Sequence, residues 1–238
     1  LEEFIGVILK KINYKESSEI IYLYTKNGLE SILVHGSRNM KSPNLNLPKI
    51  LNMVKVTASG KNLKVLREGE VINQFSHLSD NLEKYTYLLH LVETIYYFST
   101  HEHDHEKLLN FLIKILLIIE KNDNYIPYIN MVELKLLYLL GVNPNFTSCL
   151  ICAKTENLVF SVKDGSVFCQ EHKPELFVSN KILQTLKYFY YFDVNQSDLI
   201  VIEDSHLRDV RMVIDDYYSY HLNYSSKSRK MLKGLIGY

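Results

Sequence analysis

Tryptophan is absent from these 238 residues, cysteine occurs only three times, and 27 Lys and Arg are cancelled by 27 Asp and Glu. Each shortage removes a class of protein. Zero net charge argues against a generic polyanion binder, since the chain as a whole exerts no long-range attraction. No apolar run is long enough to span a bilayer, and the longest, 113–119, is broken by Lys114. The N-terminus lacks the basic-then-apolar order of a secretory signal. Because the chain starts at Leu1, a native start or a short leader is expected to be missing ahead of it. An odd cysteine count with CxxC spacing and no signal predicts reduced, cytoplasmic thiols that bind metal rather than a disulfide framework. Neither G-x-S-x-G, a Walker lysine loop nor G-x-G-x-x-G occurs, so enzymatic turnover is not expected, ATP hydrolysis least of all. The absence of Trp beside 18 Tyr reads as compositional bias, without functional meaning.

What is present is an ordinary globular composition, 47% hydrophobic and 23% charged, arranged unevenly. Residues 1–75 carry 11 Lys and Arg against 7 acids, or +4, and residues 76–238 carry 16 against 20, or −4. The first part alternates with period two. Strands are predicted at 4–12, 19–26, 29–36, 50–58 and 62–72, with a hairpin turn at Asn27-Gly28 and a break at Ser59-Gly60. Five short strands and a long irregular connection over 37–49 suit a small closed barrel of the OB type, although an SH3-like barrel would read similarly. After Phe75 the period becomes helical. Helices are predicted at 82–98, 106–121, 127–141, 179–192 and 205–224, with Pro127 in a first turn, Gly141 at a C-terminus, and Ser179 and Ser205 as N-caps. The fold class expected is α+β: a five-stranded OB-fold barrel over 1–75, then an α-helical domain over 76–238 with a zinc knuckle inserted at 146–174.

All the cysteines lie in "CLICAKTENLVFSVKDGSVFCQEH" (149–172), which is C-x2-C-x16-C-x2-H. A tetrahedral zinc needs four such donors, and CxxC places two thiolates on one tight turn. A hairpin turning at Asp164-Gly165 would bring the second pair back to the first. The ligands expected are Cys149, Cys152, Cys169 and His172, closing the site to water and making the zinc structural. The bland alternative is three incidental thiols. His101, His103 and His105 alternate with acids but read as a polar loop before a helix, and His35, His77 and His90 as isolated core or surface residues. Asp215-Asp216 reads as a solvated helix face.

A phosphate-gripping loop is suggested by "HGSRNMKS" (35–42), where Gly36 precedes Arg38 and Lys41. Lys10 and Lys11 end the first strand, Lys15 lies in the following turn and Lys26 flanks the next. These six cations are the expected DNA contacts of an OB barrel that binds single strands across one face. Tyr22 and Tyr24 are either stacking platforms or core.

The order of these parts resembles the family of the bacterial recombination mediator RecO. The resemblance rests on "YKESSEIIYLYTKNGLESILVHGSRNMKS" (14–42), on "LKLLYLLGVNPNFTSCLIC" (134–152), and more loosely on "SSKSRKML" (225–232). Asn39 stands where a second basic residue is frequent in the family, and His172 where Cys is commoner. Such membership implies an OB-fold domain, a helical domain that often bears a zinc knuckle, and binding of single- and double-stranded DNA. It also implies strand annealing, which the missing phosphate-binding loop predicts to proceed without ATP, and help in loading RecA onto DNA coated with single-strand binding protein, together with RecR in the RecFOR pathway. The place implied is the cytoplasm, at the nucleoid. Two other readings of the residues stand beside it: an OB-plus-zinc module for RNA, and a protein-binding scaffold.

Overall fold

The computed structural model describes residues 1–75, 78, 81–101, 104–194 and 202–236. Two compact units emerge from the packing: Leu1–Asp123 with Met231–Tyr238, and Asn124–Lys230. The change of period at residue 75 and this change of packing partner therefore fall at different places, because two helices associate with the strands.

Five strands, β1 (Glu2–Tyr14), β2 (Ser18–Thr25), β3 (Gly28–Val34), β4 (Met53–Ser59) and β5 (Lys64–Asn73), form a closed barrel in the order β1-β2-β3-β5-β4. Neighbours are antiparallel except β3 and β5, which run parallel through Ile32–Lys64 and Leu33–Val65. Antiparallel pairing of β1 with β4 closes the ring. This five-stranded Greek-key order is that of the OB fold, a choice that alternation alone left open. Inward residues at every second position (Phe4, Ile8, Ile21, Leu23, Ile32, Val34, Val54, Val56 and Ala58) make one apolar core. Gly6 sits on β1 where the chains are closest: a Cβ there would lie 2.1 Å from the Tyr24 carbonyl oxygen. The turn between β2 and β3 is centred one residue earlier than expected. Thr25 pairs with Gly28, so Lys26 and Asn27 occupy the turn, and Gly28 supplies the positive φ (109°) just after it.

Along the middle of β1, burial no longer alternates: Val7, Ile8 and Leu9 are all buried. The cause is a second layer. Helices α1 (Leu82–Phe98) and α2 (His105–Lys121) pack on β1 and β2. Asn81 and Asp104 cap them, accepting from the amides of Lys84 and Lys107. Tyr24 Oη meets His105 Nδ1 at 3.0 Å, and the rings of Tyr22 and Tyr96 pack edge-on at 5.3 Å. His105 is thereby a packing residue, and His90 is fully buried in α1; His77 and His103 lie outside the described residues.

The second unit contains α3 (Ile126–Leu139), a hairpin of β6 (Val159–Ser161) and β7 (Ser166–Phe168), α4 (Asn180–Tyr191) and α5 (Asp204–Leu222). Pro127 lies in the first turn of α3, Gly141 follows its end at φ 71°, and Ser179 caps α4. Ser205 does not cap α5. The extended residue there is Glu203, whose carbonyl already accepts from Leu207, and Ser205 falls inside the first turn. A further helix, α6 (Lys227–Ile236), was hidden in a charge-rich stretch too short to show periodicity.

Asp215-Asp216 also differs from expectation. Asp216 is exposed, but Asp215 is buried, four residues after Arg211 on the same helix face. Arg211 Nη2 donates to Asp215 at 2.6 Å and to Glu133 at 2.9 Å, and its Nη1 also meets Glu133. Arg229 Nη2 approaches Asp215 at 2.7 Å. Two guanidiniums and two carboxylates thus balance in a site where none is more than 5% exposed at the side chain. Such groups are costly to desolvate, and removing one partner strands another.

Two outcomes test this packing. Gly6→Ala should destabilise the protein by about 1–3 kcal/mol or more through overpacking, whereas Gly234→Ala on α6, where nothing lies within 4 Å of an added Cβ, should be neutral or stabilising by up to about 1 kcal/mol. Glu133→Gln should cost about 3–5 kcal/mol by leaving the two arginines with one carboxylate. Urea midpoints of the three variants check both statements.

Candidate metal centre and nucleic-acid face

The donor atoms of Cys149, Cys152, Cys169 and His172 lie within 4.8 Å of one another and form a set that can hold a metal ion. Local backbone brings them together. After the first pair the chain reverses through Ala153, a non-glycine residue at φ 59°, and its amide returns to the Cys149 carbonyl at 3.0 Å. The β6–β7 hairpin then carries the chain out and back, turning at Asp164-Gly165 as expected, with Ser161 Oγ donating to Asp164 at 2.5 Å. Leu150 N–H donates to the Val167 carbonyl and so fixes the first turn against β7. The His172 amide closes the second turn on the Cys169 carbonyl.

Cys152 Sγ and Cys169 Sγ are 3.7 Å apart, and His172 Nδ1 is 3.8 Å from Cys149 Sγ and 3.3 Å from Cys169 Sγ. For Cys149, burial opposes ionisation, but amide hydrogen bonds from Cys152, Cys169 and Ile151 outweigh it and bring the thiol down to about 6. Cys169 is lowered by the same balance, burial again opposing and the amides of His172 and Glu171 prevailing. Hydrogen bonds to Cys169 and Cys149 hold the His172 imidazole above its ordinary value. These groups stabilise negative charge on sulfur, which is what a bound cation requires. Lys154, just past the first cysteine pair, and Glu171, between Cys169 and His172, meet at 2.7 Å in an exposed ion pair that adds little stability.

The six barrel cations do not form one patch. Arg38 and Lys15 come together: the Arg38 amide donates to the Ser17 carbonyl at 2.9 Å, and its Nη1 to the Glu16 carbonyl at 3.2 Å, so the 36–42 loop lies on the β1–β2 turn. Lys41 follows on the same run of turns and is exposed, as are Lys15 and Arg38. Lys11 is on this side too, but its ammonium pairs at 2.9 Å with the buried Glu19, which also accepts from Ser37. Lys10 lies apart, with Nζ 4.4 Å from the Tyr96 ring centroid and 5.5 Å from that of Tyr22. Lys26, in the β2–β3 turn, is separated from the β1–β2 turn by the length of β2, roughly 25 Å. Tyr24 is fully buried and Tyr22 is engaged with Tyr96, so neither offers a free ring.

The outer face of β4, β5 and the start of β1 carries Glu3, Glu68 and Glu70 against Lys55 and Arg67, whose Nε donates to Ser59 Oγ at 2.9 Å. Register places Glu3 and Glu68 on either side of Thr57, and Glu70 beside Lys55, which is itself paired to Glu3 at 3.0 Å. A cation beside this barrel end that the sequence reading left unnamed is Lys49, exposed near the end of the long connection and lining a cleft with Lys11. Its neighbours in sequence, Pro48 and Ile50, carry no signal that would have marked it.

The described helices include none long and apolar enough to cross a membrane. The profile of the Recombination protein O N terminal matches residues 2–75, and that of the Recombination protein O C terminal matches residues 79–230. Proteins named DNA repair protein RecO from Bacillus cereus (strain AH187), Bacillus anthracis and Bacillus thuringiensis subsp. konkukian (strain 97-27) are each 23% identical over 237 residues. Those matches cover 97% of this chain and 96% of theirs. With both profiles in order and an OB barrel ahead of helices, the chain belongs to the RecO family of DNA repair and recombination proteins.

Proposed function

We propose that this chain acts in recombinational repair as a DNA-binding mediator without catalytic turnover. It binds single- and double-stranded DNA through residues 1–75, anneals complementary strands, and with RecR assists loading of RecA on strands coated by single-strand binding protein. The observation that carries the reading is the convergence of Lys15, Arg38 and Lys41 at one barrel end, with Lys11 and Lys49 beside them. Cations on flexible loops can track a phosphodiester backbone. Arg38 has five N–H donors and uses one on Glu16, leaving a fork for phosphate oxygens. The face across β1, β4 and β5 offers a polyanion little attraction, its Lys55 paired with Glu3 and its Arg67 set against Glu68 and Glu70, so the strand is gripped by loops at the barrel end and not laid along the strands. The contribution of Lys10 and Lys26 is correspondingly small, and Lys49 takes a place among the contacts.

The metal held by the knuckle is zinc, in a structural role. Three thiolates and an imidazole are its preferred donors, and bonds of ~2.3 Å to sulfur and ~2.0–2.1 Å to nitrogen place tetrahedral ligands about 3.8 Å apart for S–S and about 3.5 Å for S–N. The separations of 3.7, 3.8 and 3.3 Å already lie near those values. When bound, the ion neutralises the thiolates and ties the two turns together, with all four positions filled by Cys149, Cys152, Cys169 and His172.

Arg38→Ala with Lys41→Ala should weaken binding to a single strand of any sequence and lower the log–log salt slope by roughly 0.7 for each lost contact. Titration of the double variant at several salt concentrations checks it, and unchanged affinity with unchanged slope would place the DNA elsewhere. Elemental analysis of the purified chain should find close to one zinc. Cys169→Ser should release that zinc and cost β6–β7 its amide protection while the barrel amides keep theirs; a metal-free chain with an ordered hairpin would defeat the assignment.

A further inference from the structure

Between the barrel end and α1 the first unit contains a half-open cleft of about 210 Å³, lined among others by Lys11, Lys49, Leu51, Asn52, Phe75 and Tyr85. Its floor is apolar: Leu51 and Phe75 are each only 2% exposed, and Leu78 is 1% exposed. Its rim is polar, with exposed Lys11, Lys49 and Gln74. The accessible lining is thus shared between polar and apolar atoms beneath a cationic mouth. It matches a small ligand that has hydrogen-bonding edges and an anionic end.

Two features of the backbone support a built site. Leu51 (φ 75°) and Phe75 (φ 45°) both occupy the left-handed region, which bulky residues rarely adopt. Hydrogen bonds hold each there: Leu51 N–H donates to the Ile8 carbonyl at 2.9 Å, and Phe75 N–H to Asn73 Oδ1 at 2.8 Å. Strained conformations persist where the surroundings over-determine them, and they cluster at binding sites. The Asn52 amide is likewise locked. Its Nδ2 donates to the carbonyls of Asn46 and Leu47, so what it can offer a ligand is its acceptor oxygen. Burial raises the Tyr85 phenol, which keeps it neutral and able to donate.

We propose that this cleft is a nucleobase subsite, taking one unstacked base of a single strand while the adjoining phosphates rest on Lys49 and the Arg38 loop. The volume is below the roughly 300–1,000 Å³ of pockets for drug-sized ligands, which suits a planar ring with its sugar and phosphate left at the mouth. Lys11, at the rim, pairs with Glu19, and Glu19 accepts from Ser37, the neighbour of Arg38, so the cleft and the phosphate-gripping loop are contiguous. Tyr24 is buried, Tyr22 is engaged with Tyr96 and Phe75 is buried beneath the cleft, so the aromatic ring that the cleft itself offers a base is that of the half-buried Tyr85, while Tyr14 lies outside it beside Lys15. The inference rests on the DNA-binding reading above and adds to it where the base goes.

The test uses the full chain and two single strands of equal length, one of mixed bases and one abasic throughout, at one salt concentration. The base-bearing strand should bind roughly tenfold more tightly, in keeping with stacking of about one base. Tyr85→Leu should remove most of that difference and leave abasic-strand affinity unchanged, whereas Lys49→Ala should weaken both strands alike. Equal affinity of the unaltered protein for the two strands would overturn the subsite while leaving the DNA-binding reading intact. Failure of both strands to bind would overturn both. A Tyr85→Leu chain with unaltered circular dichroism and abasic-strand affinity that kept the full difference would also overturn the subsite, because the base would then stack elsewhere.

Discussion

The packing of α1 and α2 on the outer face of β1 and β2 decides what the barrel can do. A five-stranded barrel has an inner face that must be apolar and an outer face that is free to bind. Here part of the outer face is taken: Val7, Leu9 and Tyr24 are buried on it, His105 bonds Tyr24, and Lys10 rests against Tyr96. An aromatic pair that would have been a natural base-stacking platform is spent on helix packing. The remaining strands alternate glutamates with Lys55 and Arg67 outward. Among the described barrel residues, the exposed cations gather at the end where the β1–β2 turn meets the long connection, while Lys26, Lys61 and Arg67 stand apart from it. The whole nucleic-acid reading follows from this exclusion.

The second unit solves a different problem. Its hairpin of two three-residue strands could not stand alone. At one end lies the cluster of Cys149, Cys152, Cys169 and His172, with Leu150 N–H bonded to the Val167 carbonyl, and at the other α5. Tyr217 stacks on Phe160 with an interplanar angle of 14°, and His221 Nε2 meets the Val162 carbonyl at 2.7 Å. Gly165 at the turn is constrained twice, by its φ of 62° and by Tyr217 Oη, which would lie 2.9 Å from an added Cβ. The helix that braces the hairpin on one face carries Arg211 and Asp215 on another, so the ionic cluster and the knuckle are supported by the same element.

Arg229 illustrates how charge in a sequence misleads. It lies in a basic run near the C-terminus that resembles a solvated patch, yet it is 3% exposed and faces Asp215. Burial of a guanidinium is opposed by desolvation and by Arg211, and offset by the carboxylates. The surface charge available to DNA is therefore smaller than a count of Lys and Arg implies, and the local arrangement at the barrel end matters more than the total.

Five strands, five of the helices, the turn at Asp164-Gly165 and the gathering of Cys149, Cys152, Cys169 and His172 into one cluster were all legible in the sequence. Each is written in local signals: alternation, helical spacing, Pro and Gly punctuation, and paired donors two residues apart. The sequence by itself also determined the family, since the motifs occur in order along nearly the whole chain. Only the tertiary structure decided between barrel types, because strand order depends on the parallel β3–β5 contact, which leaves no mark in either strand. Only it separated Asp215 from Asp216, buried Tyr24, engaged Tyr22 and Lys10 with Tyr96, and brought Lys49 to a cleft with Lys11. Those outcomes depend on which outward face a second layer covers, and that is settled by residues far apart in sequence whose chemistry, read singly, fits exposure and burial equally well.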